Sequence, residues 1–218
     1  MILLANNSII SCHYWKIKGR KPRSVDLYDI FCAILDLLKT GCQWRLIPSY
    51  FPHWRTVYDY FRLWKQKEED EPNSLLETIL SQLVKEHRIA EGRLEKTSFI
   101  IVDSLRYQNT DLASEKGYDG GKKISGLKRH IAVDTNGLPQ AHHVTTANVT
   151  DRNGALEAFQ NSNESLSAVI NVLADASYTG KPFAGSVQEL IGASVEIAKR
   201  SELHTFKVIP SLWVVERY

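Results

Sequence analysis

Two acidic residues, Asp103 and Asp175, each close a short β-branched apolar run, and no other feature constrains the fold of this chain as strongly. The first lies in SFIIVDS (98–104), within a strand expected over 98–108; the second lies in AVINVLADASY (168–178). Runs of this length and composition read as buried strands. A carboxylate beside a buried strand is costly unless it is paired, hydrogen-bonded or bound to metal. Either acid alone reads more simply as a cap or turn residue. Together, and with a third acid, Glu216, in LWVVERY (212–218), they suggest a Mg²⁺ cluster. Hard divalent ions take oxygen ligands, and phosphoryl-transfer enzymes hold them with a few carboxylates.

Between the two acids lies KGYDGGKKISGLKRHIAVDTNGLPQAHHVTTANVTDRNGA (116–155). Its start is Gly-rich and basic, with Lys122, Lys123, Lys128 and Arg129. The plain reading is a solvated loop. Flanked by the carboxylates, it reads better as a loop contacting the phosphate backbone beside a metal site. HIAVDT (130–135) then reads as a strand, Asn136-Gly137 as a two-residue hairpin turn and LPQAHHVTTA (138–147) as the return. Asp134, beside the turn, reads as structural. His142 and His143 are adjacent, so a strand would point them to opposite faces, which argues against a two-histidine metal site.

The first third is helical. From Val25 to Lys39, Leu27, Ile30, Phe31, Ile34, Leu35 and Leu38 recur at three- and four-residue steps, with Ser24 as N-cap and Gly41 as stop. A second helix is expected over His53–Lys67, with Val57, Tyr58, Phe61 and Trp64 on one face. Two amphipathic helices joined by a compact turn fit a helix-turn-helix, and equally any helical hairpin. His53, Arg55, Thr56 and Arg62 are the candidates to face DNA, while the aromatics read as core. A basic run, Arg20, Lys21 and Arg23, leads into this segment. KQKEEDEPN (65–73) reads as a hinge, and Leu75–Ala90 as a helix. After the hairpin, a helix from Asp151, the second acidic strand, a helix near 182–191 and a strand in 193–199 complete a mixed α/β sheet with helices on its faces.

Several ordered blocks resemble one family. They are GRKPRSVDLYDIF (19–31), LLKTGCQWRLIPSYFPHWRTVYDYFRLW (37–64), IVDS (101–104), KGYDGGKKISGLKRHIAVDTNGLP (116–139), ANVTDRNGA (147–155), LADASYTG (173–180) and WVVER (213–217). From about Gly19 onward the chain looks like a DDE transposase of bacterial insertion sequences, in the insertion-sequence-five group. The resemblance implies a ribonuclease H-like catalytic domain over 98–218, with Asp103, Asp175 and Glu216 as catalytic and metal-binding triad. It implies Mg²⁺, with Mn²⁺ as substitute, and cleavage and strand transfer at element ends. It also implies a helical DNA-binding domain over 19–67, joined by a linker and helix over 68–97. Its partners would be terminal inverted repeats and target DNA, bound by a homo-oligomer. Residues 1–18 have no counterpart in the family and read as an atypical or truncated start. Leu212 stands where the family carries an arginine, and only two residues follow Glu216, where the family's helix continues. The expectation is therefore a shortened catalytic domain, with a DNA-binding remnant lacking activity as the alternative to an active enzyme.

Composition adds limits. A net charge of +2 and a pI near 8.3 mean that DNA affinity must come from local clusters. Cys12, Cys32 and Cys42 are odd in number and lack zinc spacing, as expected of reduced thiols. No apolar run approaches the roughly 20 residues that span a bilayer, and the N-terminus lacks the basic start of an export signal. The expected location is cytoplasmic and nucleoid-associated, with no membrane partner.

Overall fold

The computed structural model describes residues 25–67, 73–109, 115–121 and 123–198. The chain forms two compact units that divide between Glu91 and Gly92. The expected hinge falls largely outside the described residues, as do Ser24 and the N-terminal segment.

The first unit is helical. Helix α1 spans Leu27–Thr40 and is capped by Asp26, whose Oδ1 accepts from Tyr28 N at 2.9 Å. Gly41, at φ 66°, ends it in the left-handed region that glycine adopts without a Cβ clash. A 3-10 turn, Trp44–Leu46, leads to α2, Trp54–Trp64, where His53 Nδ1 accepts from Arg55 N. Helix α3, Leu75–Ala90, starts with a capping box in which Ser74 and Glu77 each satisfy the other's backbone N–H. Leu27, Ile30, Phe31 and Ile34 of α1 pack with Val57 and Trp64 of α2 and Ile79 of α3. Of the aromatics expected in the core, Trp64 is buried and Phe61 packs against the cluster, whereas Tyr58 is half-buried and edge-on to Trp44. Helix α3, assigned from the sequence to a linker segment, packs Leu75, Leu76 and Leu83 against this same core.

The second unit is built on one sheet. Its strands are β1 (Phe99–Gln108), β2 (Gly117–Asp119), β3 (Ile124–Val133), β4 (Pro139–Thr146), β5 (Asn171–Ala174) and β6 (Ser194–Ile197). Helix α4 (Asp151–Asn161) and a helical turn (Asn163–Leu166) connect β4 to β5, and α5 (Lys181–Ile191) connects β5 to β6. β3 is antiparallel to β1 and β4, whereas β5 is parallel to both β1 and β6. An antiparallel β1-β3-β4 meander followed by two parallel strands, joined by helices, is a ribonuclease H-like mixed sheet. Strand alternation divides its side chains. Ile100, Val102, Ala132, Ala141, Val172 and Ala174 face Phe159 of α4 and Phe183 and Val187 of α5. Ile101, Ile131, Val133 and Leu173 form a separate cluster on the other face. Among the described residues no helix is long and apolar enough to cross a membrane.

β1 runs through Asp103 to Gln108, as the strand expected over 98–108 does, because β3 continues to pair with it. Two other sequence expectations change. The Gly-rich stretch contains the short strand β2, and β3 begins at Ile124, so Lys128 and Arg129 are strand residues rather than loop residues. The hairpin turn is longer than two residues. Asp134 N donates to Leu138 O, Gly137 N donates to Asp134 O, and Gly137 takes φ 82°. Asp134 is structural as expected, since its buried Oδ1 accepts from Asn136 N at 2.8 Å and Leu138 N at 3.0 Å.

Gly154 lets α4 lie directly on β3, because a Cβ there would overlap the buried His130 ring. Gly154→Ala is expected to destabilise the fold by about 1–3 kcal/mol, the usual penalty of overpacking, in urea unfolding. An unchanged midpoint would refute the close packing.

Candidate active site

The β1–β5 ladder pairs Phe99 with Asn171 and ends at Val102 with Ala174. The next residues are Asp103 and Asp175. Period-two alternation puts both on the face of Ile101 and Leu173, on strands about 4.8 Å apart. Asp103 Oδ1 accepts from Ser104 N at 2.7 Å. Asp175 caps a 3-10 turn, Ala176–Tyr178, and its Oδ1 accepts from both the N–H and the hydroxyl of Ser177. Both acids are half-buried. Two adjacent hard oxygen donors suit a hard divalent cation. Among the described residues, no group of three or more His, Cys, Asp or Glu side chains is arranged to hold a metal. Glu216 lies outside those residues, as do Arg20, Lys21, Arg23 and Lys122.

Tyr178 packs on Phe183 inside the helix-covered core, with its hydroxyl buried close to the Ser104 side chain. Burial pushes its ionisation upward, and the nearby carboxylates of Asp103, Asp151 and Asp175 add to the shift. It therefore stays a protonated donor at neutral pH.

On the helix-covered face lies a charge quartet that the sequence did not reveal. Arg106 of β1 donates to Asp119 of β2 at 2.9 Å and to Asp151 of α4 at 2.7 Å. Lys128 of β3 reaches the same two carboxylates at 3.0 and 3.1 Å and donates to Val149 O at 2.8 Å. Burial alone would raise the Asp151 pKa, but the Lys128 hydrogen bond and the Arg106 charge hold it below its ordinary value. Arg106 is likewise held charged, its carboxylate partners outweighing the opposing effect of burial. Lys128 is only 4% exposed. The expected phosphate contact by Lys128 is thus corrected: its ammonium is consumed inside the fold. Lys128→Ala is expected to lose about 3–5 kcal/mol of stability, because it strips a partner from buried charges. A loss below about 1 kcal/mol, the range of an exposed ion pair, would restore the surface reading.

The other cations are placed differently. Arg129 points to the Asp103 face, where its guanidinium lies 5.6 Å from the Tyr107 ring centre. Lys123 is exposed and takes φ 56°. In the helical unit, Arg62 is exposed and Arg55 pairs with Asp59 at 3.5 Å.

His130, fully buried beneath α4, shares a 2.9 Å hydrogen bond between Nε2 and the Thr145 hydroxyl. Burial lowers its pKa to about 4; Asp151 opposes the shift, while Lys128, His143 and Arg106 add to it. A histidine whose folded pKa is depressed stabilises the fold above its unfolded value of about 6.5. That contribution is lost as pH falls from about 6.5 toward 4. Unfolding free energy should drop over this window by an amount on the order of 3 kcal/mol, and His130→Gln should flatten the drop. An identical pH profile in the variant would exclude His130 as its source.

These features define a ribonuclease H-like unit with two carboxylates at the end of the β1–β5 ladder. A family described as "Transposase DDE domain" matches residues 94–217, and one described as "Putative transposase of IS4/5 family" matches residues 10–69. The first match spans more than half of the chain, so the chain belongs to the DDE transposase family. No curated protein matches it. Three solved structures show distant similarity. A simian T-cell lymphotropic virus intasome in complex with PP2A regulatory subunit B56 gamma is 16% identical, with TM-score 0.36, over 56% of this chain and 37% of that chain. A piggyBac transposase synaptic complex with hairpin DNA is 11% identical, with TM-score 0.40, over 88% and 47%. A Mos1 mariner paired-end complex with Mn is 13% identical, with TM-score 0.31, over 84% and 61%. The chain therefore spans less than two thirds of each of these chains. The sheet assignment rests on its own strand order.

Proposed function

We propose that this chain acts as a DNA transposase, cleaving DNA at element ends and joining the freed 3′ end to target DNA by metal-dependent phosphoryl transfer. The observation that supports this most directly is the ladder end at Val102 and Ala174, which sets Asp103 and Asp175 side by side on one face. These two acids, with Glu216 as third ligand, would hold Mg²⁺, or Mn²⁺ in its place. Bound divalent ions supply Lewis-acid stabilisation of the attacking and leaving oxygens in an in-line displacement.

The chain's own task is positioning. Ser104 N fixes Asp103, and Ser177 fixes Asp175. Tyr178 keeps its proton beside both acids. DNA would lie along the basic side chains of 19–67, namely Arg20, Lys21, Arg23, Arg55 and Arg62. In the catalytic unit, Lys122, Lys123 and Arg129 would contact DNA as well, on a homo-oligomer assembled on terminal repeats and target.

Thermal unfolding with and without Mn²⁺ or Mg²⁺ tests the metal site. At about 100 times the dissociation constant, binding adds roughly 2.7 kcal/mol to the folded state. Asp103→Asn and Asp175→Asn should each remove the gain, and metal-dependent nicking of terminal-repeat DNA should vanish with it. An equal gain in both variants would place the ion elsewhere. DNA binding with no cleavage by the unmodified chain would favour the remnant reading.

A further inference from the structure

A cleft of about 690 Å³ opens on the helix-covered side of the sheet unit, between the β1 and β2 ends and the first turns of α4 and α5. Its floor is the quartet Arg106, Asp119, Lys128 and Asp151. Two positive and two negative charges, all within ion-pair distance, leave that floor neutral. Arg152 stands beside it and is exposed. Its Nε donates to Ser177 O at 2.9 Å, and Nη1 lies over Gly180, 3.7 Å from where a Cβ would stand. The guanidinium makes no other hydrogen bond or ion pair with a described residue. Of its five N–H donors, four remain for a ligand, and the described residues lining the cleft carry one net positive charge.

We propose that this cleft binds a backbone phosphate of the DNA strand, with Arg152 as the positioning residue; the inference rests on the transposase reading. The charge match is direct, since a phosphodiester carries one negative charge and a guanidinium fork fits phosphate oxygens in two-point fashion. The location is equally specific. Arg152 grips Ser177, and Ser177 donates both its N–H and its hydroxyl to Asp175 Oδ1. A phosphate held by Arg152 is therefore indexed to the Asp175 carboxylate through one residue. The rigid quartet beneath keeps the α4 turn from yielding when the strand enters. Ser186 and Asn153 line the same cleft and offer further polar contacts.

The test uses the full chain and a short labelled duplex ending in the terminal repeat that flanks its coding sequence. Binding is measured by anisotropy across a salt series. Arg152→Gln should lower the slope of log K against log salt by about 0.9, one phosphate contact, and weaken binding roughly fivefold near 0.15 M salt. Arg152→Lys keeps the charge and should keep the wild-type slope, although it loses the Ser177 contact geometry. Wild-type slope in Arg152→Gln, from a wild-type chain that binds, overturns this inference alone. Equal loss in Arg152→Gln and Arg152→Lys, together with a matching fall in melting temperature, also overturns it, because Arg152 would then only staple the turn. A wild-type chain that does not bind the duplex overturns the proposed function and this inference with it.

Discussion

Strand β1 carries two ladders of unequal length, and the candidate site depends on that mismatch. It pairs with β3 from Ile101 to Gln108 but with β5 only from Phe99 to Val102. Past Val102, β1 has lost its parallel neighbour, and the chain leaving Ala174 must turn. Its freed backbone donors need partners, and the Asp175 carboxylate supplies one by accepting from Ser177 N. A cap is thus required where the second acid stands. The cap reading and the catalytic reading of Asp175 are therefore not rivals; the cap fixes the carboxylate that the chemistry would use. Because both strands alternate with period two, a one-residue slip of β5 would send Asp175 to the opposite face from Asp103. The buried pairs Ile100 with Val172 and Val102 with Ala174 prevent the slip, since it would expose the apolar core of α4 and α5.

The same alternation sorts the basic residues. Lys128 and Arg129 are neighbours in sequence, yet one is buried in the quartet and the other lies on the acid face. Burying four charges is expensive, and removing one partner is far worse than never having buried them. The compensation here comes from pairing each cation with both acids. The four groups come from β1, β2, β3 and the first turn of α4, so their geometry exists only once the sheet and helix have assembled. A role in fixing register follows, because shifting β3 by one residue would carry Lys128 away from both acids.

Much of this was readable in the sequence, for definite reasons. The three-and-four spacing from Leu27 to Leu38 located α1, and Leu75–Ala90 was legible as the helix α3. Asp103 and Asp175 stood out because apolar β-branched runs precede them. Strand starts were less legible. Where β3 begins depends on its pairing with β1 and β2, and that is a tertiary fact. Gly-rich composition disguised β2, although its pairing through Gly117 and Gly126 permits close approach. Arg106 and Asp119 gave no local signal, since their partners lie across strands whose register no single stretch of sequence reveals. Arg152 sat in a block already noted, but its contact with Ser177 spans 25 residues.

Tyr178 links the two charged regions. Its ring belongs to the helix-covered core, packed on Phe183, while its hydroxyl lies near Asp103, Asp151 and Asp175. A phenol held protonated by burial presents these carboxylates with a donor dipole and no further negative charge. Were it to ionise, a fourth anion would join three in a poorly solvated place, where charge repulsion is least screened. Its upward shift comes first from burial, and the three carboxylates add to it. The ladder end sets the acids, the capped turn orients one of them, and the buried tyrosine joins them to the quartet that anchors α4. Phe183 of α5 packs on Tyr178, so a substitution there reaches the turn that Asp175 caps without touching either acid.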